Sequence, residues 1–366
     1  MDMLIDDIAL TMQPQVGPRT AAHLLQCFGS AEDVFGASEN DLRERAELRT
    51  DIAAALVKKP FHKQAEKELR FCEKNGIIPI PSTSGIYPRL LRECEDYPHV
   101  VYYKGDTAAL ERRMLSMVGT RRMTSYGQRV CERLVGGLGR MFPDLVIVSG
   151  LAFGVDGACH RAALAEGLAT VGVLANPLTE IYPAQHAVLA EEMMKRGGGI
   201  LSEYHSGSKN KGVTFVPRNR IIAGMSMGTV VVESPLKGGS VITANMADGY
   251  NRCVMAAPGR VGDMASEGTN ELIKSNKARM VCSAEDIARE LMWDIPGKAV
   301  VLEPDLSSLG KDAVGLLGCI PDGEAVSIDM LAGITGLTHP ELAGIILELE
   351  FEGLVRVLPG KMYERA

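Results

Sequence analysis

The sequence lacks several features that would announce a familiar chemistry. Its eight cysteines (Cys27, Cys72, Cys94, Cys131, Cys159, Cys253, Cys282, Cys319) form no Cys-x-x-Cys pair, and no histidines stand at zinc spacing. No metal site is therefore predicted, and the thiols read as reduced. No apolar run approaches the roughly 20 residues that cross a bilayer. The stretch Met1-Asp-Met-Leu-Ile-Asp-Asp7 puts no basic region ahead of an apolar one. A signal peptide and a membrane association are thus not expected, and the chain reads as cytoplasmic. Positive charge is also in short supply. With 39 Lys and Arg against 46 Asp and Glu, the net charge is -7, which excludes a global basic field. Any site for a polyanion must be a local patch.

What is present is enough sequence for two or three domains, 366 residues. Residues 1–60 read as short helices. Within them Gln15-Val-Gly-Pro-Arg-Thr-Ala-Ala-His-Leu-Leu25 places a Gly-Pro turn before an apolar helix, which resembles half of a helix-hairpin-helix (a SAM-like helical domain) or a plain turn in a small bundle. Residues 61–293 form the second expected domain. It opens with a helix and two β-rich pieces, Gly76–Ile80 and Val100–Tyr103, expected as added strands at a sheet edge. From about 113 to 291 short apolar strands alternate with helices. The expected strands are Leu115–Val118, Leu145–Ser149, Thr170–Leu174, Ile200–Glu203, Thr229–Glu233, Cys253–Ala256 and Arg279–Val281. Continuous apolar strands separated by helices predict an α/β fold, an extended Rossmann-like parallel sheet covered on both faces, with its ligand at the carboxyl ends of the strands. Pro296, Gly297, Pro304 and Ser307-Ser308 predict a linker over 294–308.

Residues 309–366 have a pattern of their own. Two helices, Ser327–Ile334 and His339–Phe351, precede Gly353–Leu358, a Pro359-Gly360 turn and Lys361–Tyr363. Helix-turn-helix followed by a small hairpin predicts a winged-helix domain. This segment carries four Lys/Arg and nine Asp/Glu, so its second helix would repel phosphates. It reads as a protein-contact or structural module.

Four constellations carry chemistry. In Val118-Gly-Thr-Arg-Arg-Met-Thr-Ser-Tyr-Gly127, between a strand and a helix, Gly119 lets backbone approach an anion, Thr120 offers a hydroxyl and Arg121 can clamp a phosphate. This is not the Gly-x-Gly-x-x-Gly dinucleotide fingerprint. In Ser149-Gly-Leu-Ala-Phe-Gly-Val-Asp-Gly-Ala-Cys-His160, Ser149, Gly150 and Gly154 shape a second anion-accepting loop, and Asp156 holds the loop or caps the helix. Ser149 stands outside any Gly-x-Ser-x-Gly elbow, and His160 reads as structural. Residues 209–220 hold four cations (Lys209, Lys211, Arg218, Arg220), Asn219, and no acid. Interleaved with Phe215 they suit a single nucleic-acid strand, charge tracking the backbone and the ring stacking a base. In Val231–Ala244, Gly238, Gly239 and Ser240 open a third anion-friendly helix; Glu233 is a candidate base, with orienting an arginine or capping a loop the favoured role.

Together these residues resemble a known family. Val118-Gly-Thr-Arg121, Ser149-Gly-Leu-Ala-Phe-Gly-Val-Asp156, Ile181-Tyr-Pro183, Leu201-Ser-Glu203, Phe215-Val-Pro-Arg-Asn-Arg-Ile-Ile-Ala-Gly224, Gly238-Gly-Ser-Val-Ile-Thr-Ala244 and Ala257-Pro-Gly259 look like the motifs, in order, of the DNA-processing protein A (DprA/Smf) family. The resemblance implies a non-enzymatic, cofactor-free homodimer that binds single-stranded DNA and loads the RecA recombinase during uptake of transforming DNA. It also implies a DNA pocket lined by Gly119, Arg121, Ser149, Gly150, Gly154, Phe215, Arg218, Asn219, Arg220, Gly238 and Ser240, with Lys211 at the family's basic position. Phe153 stands where many members carry another residue, and Lys237 lies in a run that departs from the commoner small residues. The competing expectation is a nucleotide-processing hydrolase, or a nucleotide sensor, of the lysine-decarboxylase-like Rossmann group. The Pro-Gly-Gly-x-Gly-Thr-x-x-Glu signature of that group is incomplete at Leu236–Ala244, where its working glutamate is missing.

Overall fold

A computed structural model describes residues 2–208, 215–295, 309–321, 325–352, 354–358 and 360–365. Lys209, Lys211, most of the expected linker and Pro359 of the expected wing turn lie outside the described residues. The chain divides into two units, Met1–Ile295 and Pro296–Ala366.

The first unit opens with helices α1 (Asp2–Thr11), α2 (Pro18–Phe28), α3 (Ala31–Gly36), α4 (Glu39–Arg45), α5 (Thr50–Val57) and α6 (His62–Asn75). Local chemistry starts several of them. Pro18 occupies the first turn of α2, where no amide hydrogen is needed, and Ser38 with Asp41 forms a capping box on α4. Leu10, Leu24, Leu42 and Leu56 make a core that runs on into Val100 and Tyr102 of the sheet. Polar ties fix the same junction. Buried His99 bridges Asp7 (2.8 Å) and Ser82 (2.9 Å), and the Ser206 amide donates to Glu68 of α6 at 2.8 Å.

The sheet follows: β1 (Ile78–Pro81), α7 (Arg89–Arg92), β2 (Val100–Gly105), β3 (Met114–Val118), α8 (Ser125–Met141), β4 (Val146–Ser149), α9 (Val155–Ala165), β5 (Ala169–Val173), α10 (Ala187–Lys195), β6 (Gly199–Ser202), α11 (Phe215–Met225), β7 (Gly228–Val231), α12 (Gly239–Gly249), β8 (Cys253–Ala256), α13 (Glu267–Lys274), β9 (Arg279–Met280) and α14 (Ala284–Glu290). The strand order is β1-β2-β6-β5-β4-β3-β7-β8-β9. β1 and β2 are antiparallel additions at one edge, and every other pairing is parallel. The continuous apolar strands have the physical cause expected of them. Met114, Val118, Val146, Val148 and Val231 pack on the face covered by α11 and α12. Leu115, Met117, Ile147 and Val230 pack on the face covered by α8, α9 and α14. Each such buried side chain contributes about 1.5–3 kcal/mol.

From β3 the chain builds outward through β4, β5 and β6, then crosses back to place β7 on the other side of β3. This reversal makes a topological switch point, and the crevice beyond the carboxyl ends of β3 and β7 is where such sheets bind ligands. The segment that makes the crossing ends in α11. Residues 215–225 are helical, so the described part of the basic stretch is a packed helix, with Ile221, Ile222 and Ala223 in the core.

The second unit contains α15 (Lys311–Gly318), β10 (Val326–Ser327), α16 (Ile328–Thr335), α17 (His339–Phe351), β11 (Val355–Leu358) and β12 (Met362–Arg365), with β12 between β10 and β11. Leu331, Leu342, Ile346 and Tyr363 belong to its core. Glu348, Glu350 and Glu352 lie exposed in and just beyond the last turn of α17.

Two outcomes follow from buried polar groups of the sheet. Arg220 pairs with Glu203 and, at 3.9 Å, with Asp96, while Tyr250 donates to Asp96 at 2.6 Å. Arg220→Ala would leave Glu203 buried without its cation, so chemical denaturation should show a loss of about 3–5 kcal/mol. His160 is fully buried. Thr170 gives its one hydroxyl hydrogen to the Ile147 carbonyl (2.7 Å), so His160 Nδ1 must donate to Thr170 (2.7 Å), and Nε2 has no partner among the described residues. Burial, reinforced by His186 and nearby arginines, pulls its pKa from 6.5 to about 3. The unfolded chain therefore binds this proton first as pH falls. Its contribution is intact above pH 6.5 and is lost from there down to about 3, at up to about 1.4 kcal/mol per pH unit. Urea titrations across that window should give a shallower acid slope for His160→Gln than for the wild type. Equal slopes would contradict the assignment.

Candidate nucleic-acid interface

The loops that leave β3, β4 and β7 meet the first turns of α11 and α12 at the switch point. They enclose a cavity of about 340 Å³ lined by Gly119, Thr120, Arg121, Asp156, Phe215, Arg218, Asn219, Gly238, Gly239 and Ser240, among others. The β3 loop is locked in place from both sides. The Thr120 amide donates to the Glu233 carbonyl at 2.7 Å, and the Thr120 carbonyl accepts from Val155 at 3.2 Å. A Cβ on Gly119 would lie 2.5 Å from Val155 Cγ2, and one on Gly154 (φ 76°) would lie 2.2 Å from the Thr120 carbonyl oxygen. These two glycines are therefore required by loop-on-loop packing, whatever they add for a ligand.

Besides α11, the helices α8, α9 and α12 begin at or beside this rim, and these three starts are not equivalent. At α8 the Glu233 carboxylate, 1% exposed, accepts from the Thr124 amide (2.9 Å) and the Thr124 hydroxyl. Gly127 leaves it room, since a Cβ there would lie 2.3 Å from Glu233 Oε2. At α9 the buried Asp156 carboxylate accepts from Gly150 (3.1 Å) and Ala152 (3.3 Å). Both helix ends already carry an anion. The start of α12 has no acid in its first turn and no side-chain cap. Among the described residues the Gly239 and Ser240 amides make no hydrogen bond, and nothing lies within 4 Å of a Cβ built on Gly239. Of the three, α12 is the end that can receive a phosphate.

The arginines divide in the same way. Arg121 is exposed and lies over the Phe215 ring, 4.2 Å from its centroid. Arg218 is 4% exposed. Its Nη1 donates to the carbonyls of Gly150 (2.7 Å) and Val173, and its Nε to Asn219 Oδ1 (3.3 Å). Among the described residues Nη2 makes no hydrogen bond, and Arg218 lines the cavity. Burial lowers the Arg218 pKa to about 10, opposed by the neighbouring Asp156, so the group stays cationic at neutral pH. Burial raises the Asp156 pKa, with Arg218 opposing. Asn219 donates to the Gly239 carbonyl at 3.5 Å, joining α11 to the α12 start.

Other expected residues have structural partners of their own. Arg220 turns away to Glu203 and Asp96 and is absent from the cavity lining. Ser149 is fully buried and donates to the Met117 carbonyl at 2.6 Å, tying β4 to β3. Gly150 sits under Arg218, 2.5 Å from its Nη2 to a would-be Cβ. Ser240 lines the cavity and its hydroxyl donates to Ser234 at 2.8 Å. The sequence reading gave Tyr182 no role, yet it is exposed and lines an adjoining recess with Arg121, Phe153, Phe215 and Arg218. Its place beside Pro183 in the Ile-Tyr-Pro motif was the available signal.

Residues 79–292 match the family model of DNA recombination-mediator protein A, and residues 302–361 match that of the DprA winged helix domain. Protein Smf of Escherichia coli is 35% identical over 308 residues, covering 81% of this chain and 80% of that protein. The DNA processing protein DprA of Bacillus subtilis is 38% identical over 247 residues, 66% of this chain and 82% of that one. The X-ray structure of DprA from Streptococcus pneumoniae superimposes with a TM-score of 0.68 at 28% identity, covering 79% of this chain and 99% of that one. For DNA processing protein A of Helicobacter pylori, known for a single-stranded DNA binding mode, the TM-score is 0.52 at 28% identity over 59% of this chain and 95% of that one. An α/β sheet with this switch point, a winged helix after it, and these matches in the same order make the chain a member of the DNA recombination-mediator protein A (DprA/Smf) family.

Proposed function

We propose that this protein binds single-stranded DNA with little regard to sequence, protects strands taken up by the cell, and loads the RecA recombinase onto them during transformation, acting as a homodimer and without catalysing a reaction. One observation carries the binding step. The open α12 start, Arg121 and the Arg218 guanidinium line one cavity together with the Phe215 ring. Amides, guanidinium and ring faces supply the phosphate clamp and stacking surface that a single strand needs. The single-strand binding of the Helicobacter pylori relative supports the reading. The RecA and dimer steps rest on family membership.

Features that would favour nucleotide hydrolysis are already occupied. Glu233, the candidate base, is held by Thr124. Gly224-Met-Ser-Met-Gly228 fits the Gly-x-Ser-x-Gly pattern, but it leads from α11 into β7, the reverse of a strand-to-helix elbow, and Ser226 is fully buried.

Fluorescence anisotropy with a labelled oligo-dT strand, a matched duplex and excess mononucleotide, over a salt series, tests the proposal. The single strand should bind best and resist the mononucleotide. Arg121→Ala should weaken it and flatten the log–log salt slope by about 0.7, one phosphate contact. Strong mononucleotide competition, or an unchanged slope in a folded variant, would overturn it.

A further inference from the structure

Two aromatic rings at the carboxyl rim are more exposed than packing requires. Phe153 is 45% and Tyr182 53% exposed. Each has a ring neighbour. Phe153 sits edge-on to His186, with centroids 5.2 Å apart. His186 is itself buried and bonded through Nδ1 to the Leu151 carbonyl at 2.9 Å. Gly157 makes space for it, since a Cβ there would lie 2.8 Å from the His186 ring. Tyr182 lies 6.0 Å from Phe215 at a 43° tilt. Both exposed rings line one recess that shares Arg121, Phe215 and Arg218 with the phosphate cavity. Keeping large rings in water forgoes burial energy, and a buried histidine behind one of them fixes its direction. Phe215 is a poorer platform, because Arg121 already lies over its ring at 4.2 Å.

The geometry points to a base-stacking shelf made by Phe153 and Tyr182, distinct from the phosphate cavity. The strand lays its phosphates on Arg121, Arg218 and the α12 start and turns neighbouring bases onto the two rings. Phe215 backs Arg121. The shelf rests on the single-strand reading above. It is blind to sequence because every base has a face, and it is neutral because neither ring carries charge.

Anisotropy with oligo-dT and with an abasic strand of equal length separates the two parts of the site. Tyr182→Ala and Phe153→Ala should each lower oligo-dT affinity about five- to a hundredfold, leave the salt slope unaltered, and leave abasic-strand binding at the wild-type level. Tyr182→Phe should bind oligo-dT as the wild type does. Undiminished oligo-dT affinity in the double alanine variant would overturn the shelf. So would an equal loss on the abasic strand, which would mean a collapsed pocket. A wild type that holds both strands equally contradicts the shelf alone. A wild type that binds neither contradicts the single-strand reading itself.

Discussion

The buried guanidinium of Arg218 holds the carboxyl end of the sheet together. It reaches from α11 to a carbonyl in the β4 loop and another at the end of β5, and it orients Asn219 toward the α12 start. A cation so deep needs compensation, which the two carbonyls and Asp156 provide. The consequence is a charged group in the cavity lining whose position is fixed before any ligand arrives. Preorganisation of this kind reduces the ordering cost of binding.

The rest of the site follows from how other charges are used. An acidic chain cannot attract a polyanion by its overall field, so attraction has to be local. Glu233 and Asp156 sit at the starts of α8 and α9 and remove two of three candidate anion sites, while α12 is left open. The carboxylates thus serve to brace loops and, by the same contacts, to leave one helix end as the receptor. Arg220 belongs to the bracing group. Its pairing with Glu203 and Asp96 anchors the middle of α11, so that the helix can present Phe215 and Arg218 at its first turn.

Much of this was legible in the sequence. Continuous apolar strands mark a sheet covered on both faces, and the glycine-bearing turns mark the rim. The roles inside the 215–220 motif were not legible, for a geometric reason. In an extended or loop reading, Arg218 and Arg220 share a side. In a helix, residues two apart diverge by about 200°, so one arginine faces the cavity and the other faces away. The helix itself was masked by Pro217, which is tolerated in a first turn. The glycines illustrate a second ambiguity. Glycine permits close approach of either a ligand or another loop, and at Gly119 and Gly154 the neighbouring loop is already there.

The central claim is that the α12 start is the phosphate receptor while α8 is closed by its own carboxylate. Backbone amide chemical shifts recorded as oligo-dT is added test it most directly. The account predicts the largest changes at Gly239 and Ser240, with Thr124 and Gly127 at the α8 start nearly still. Changes concentrated at the α8 start, with Gly239 and Ser240 unmoved, would contradict it.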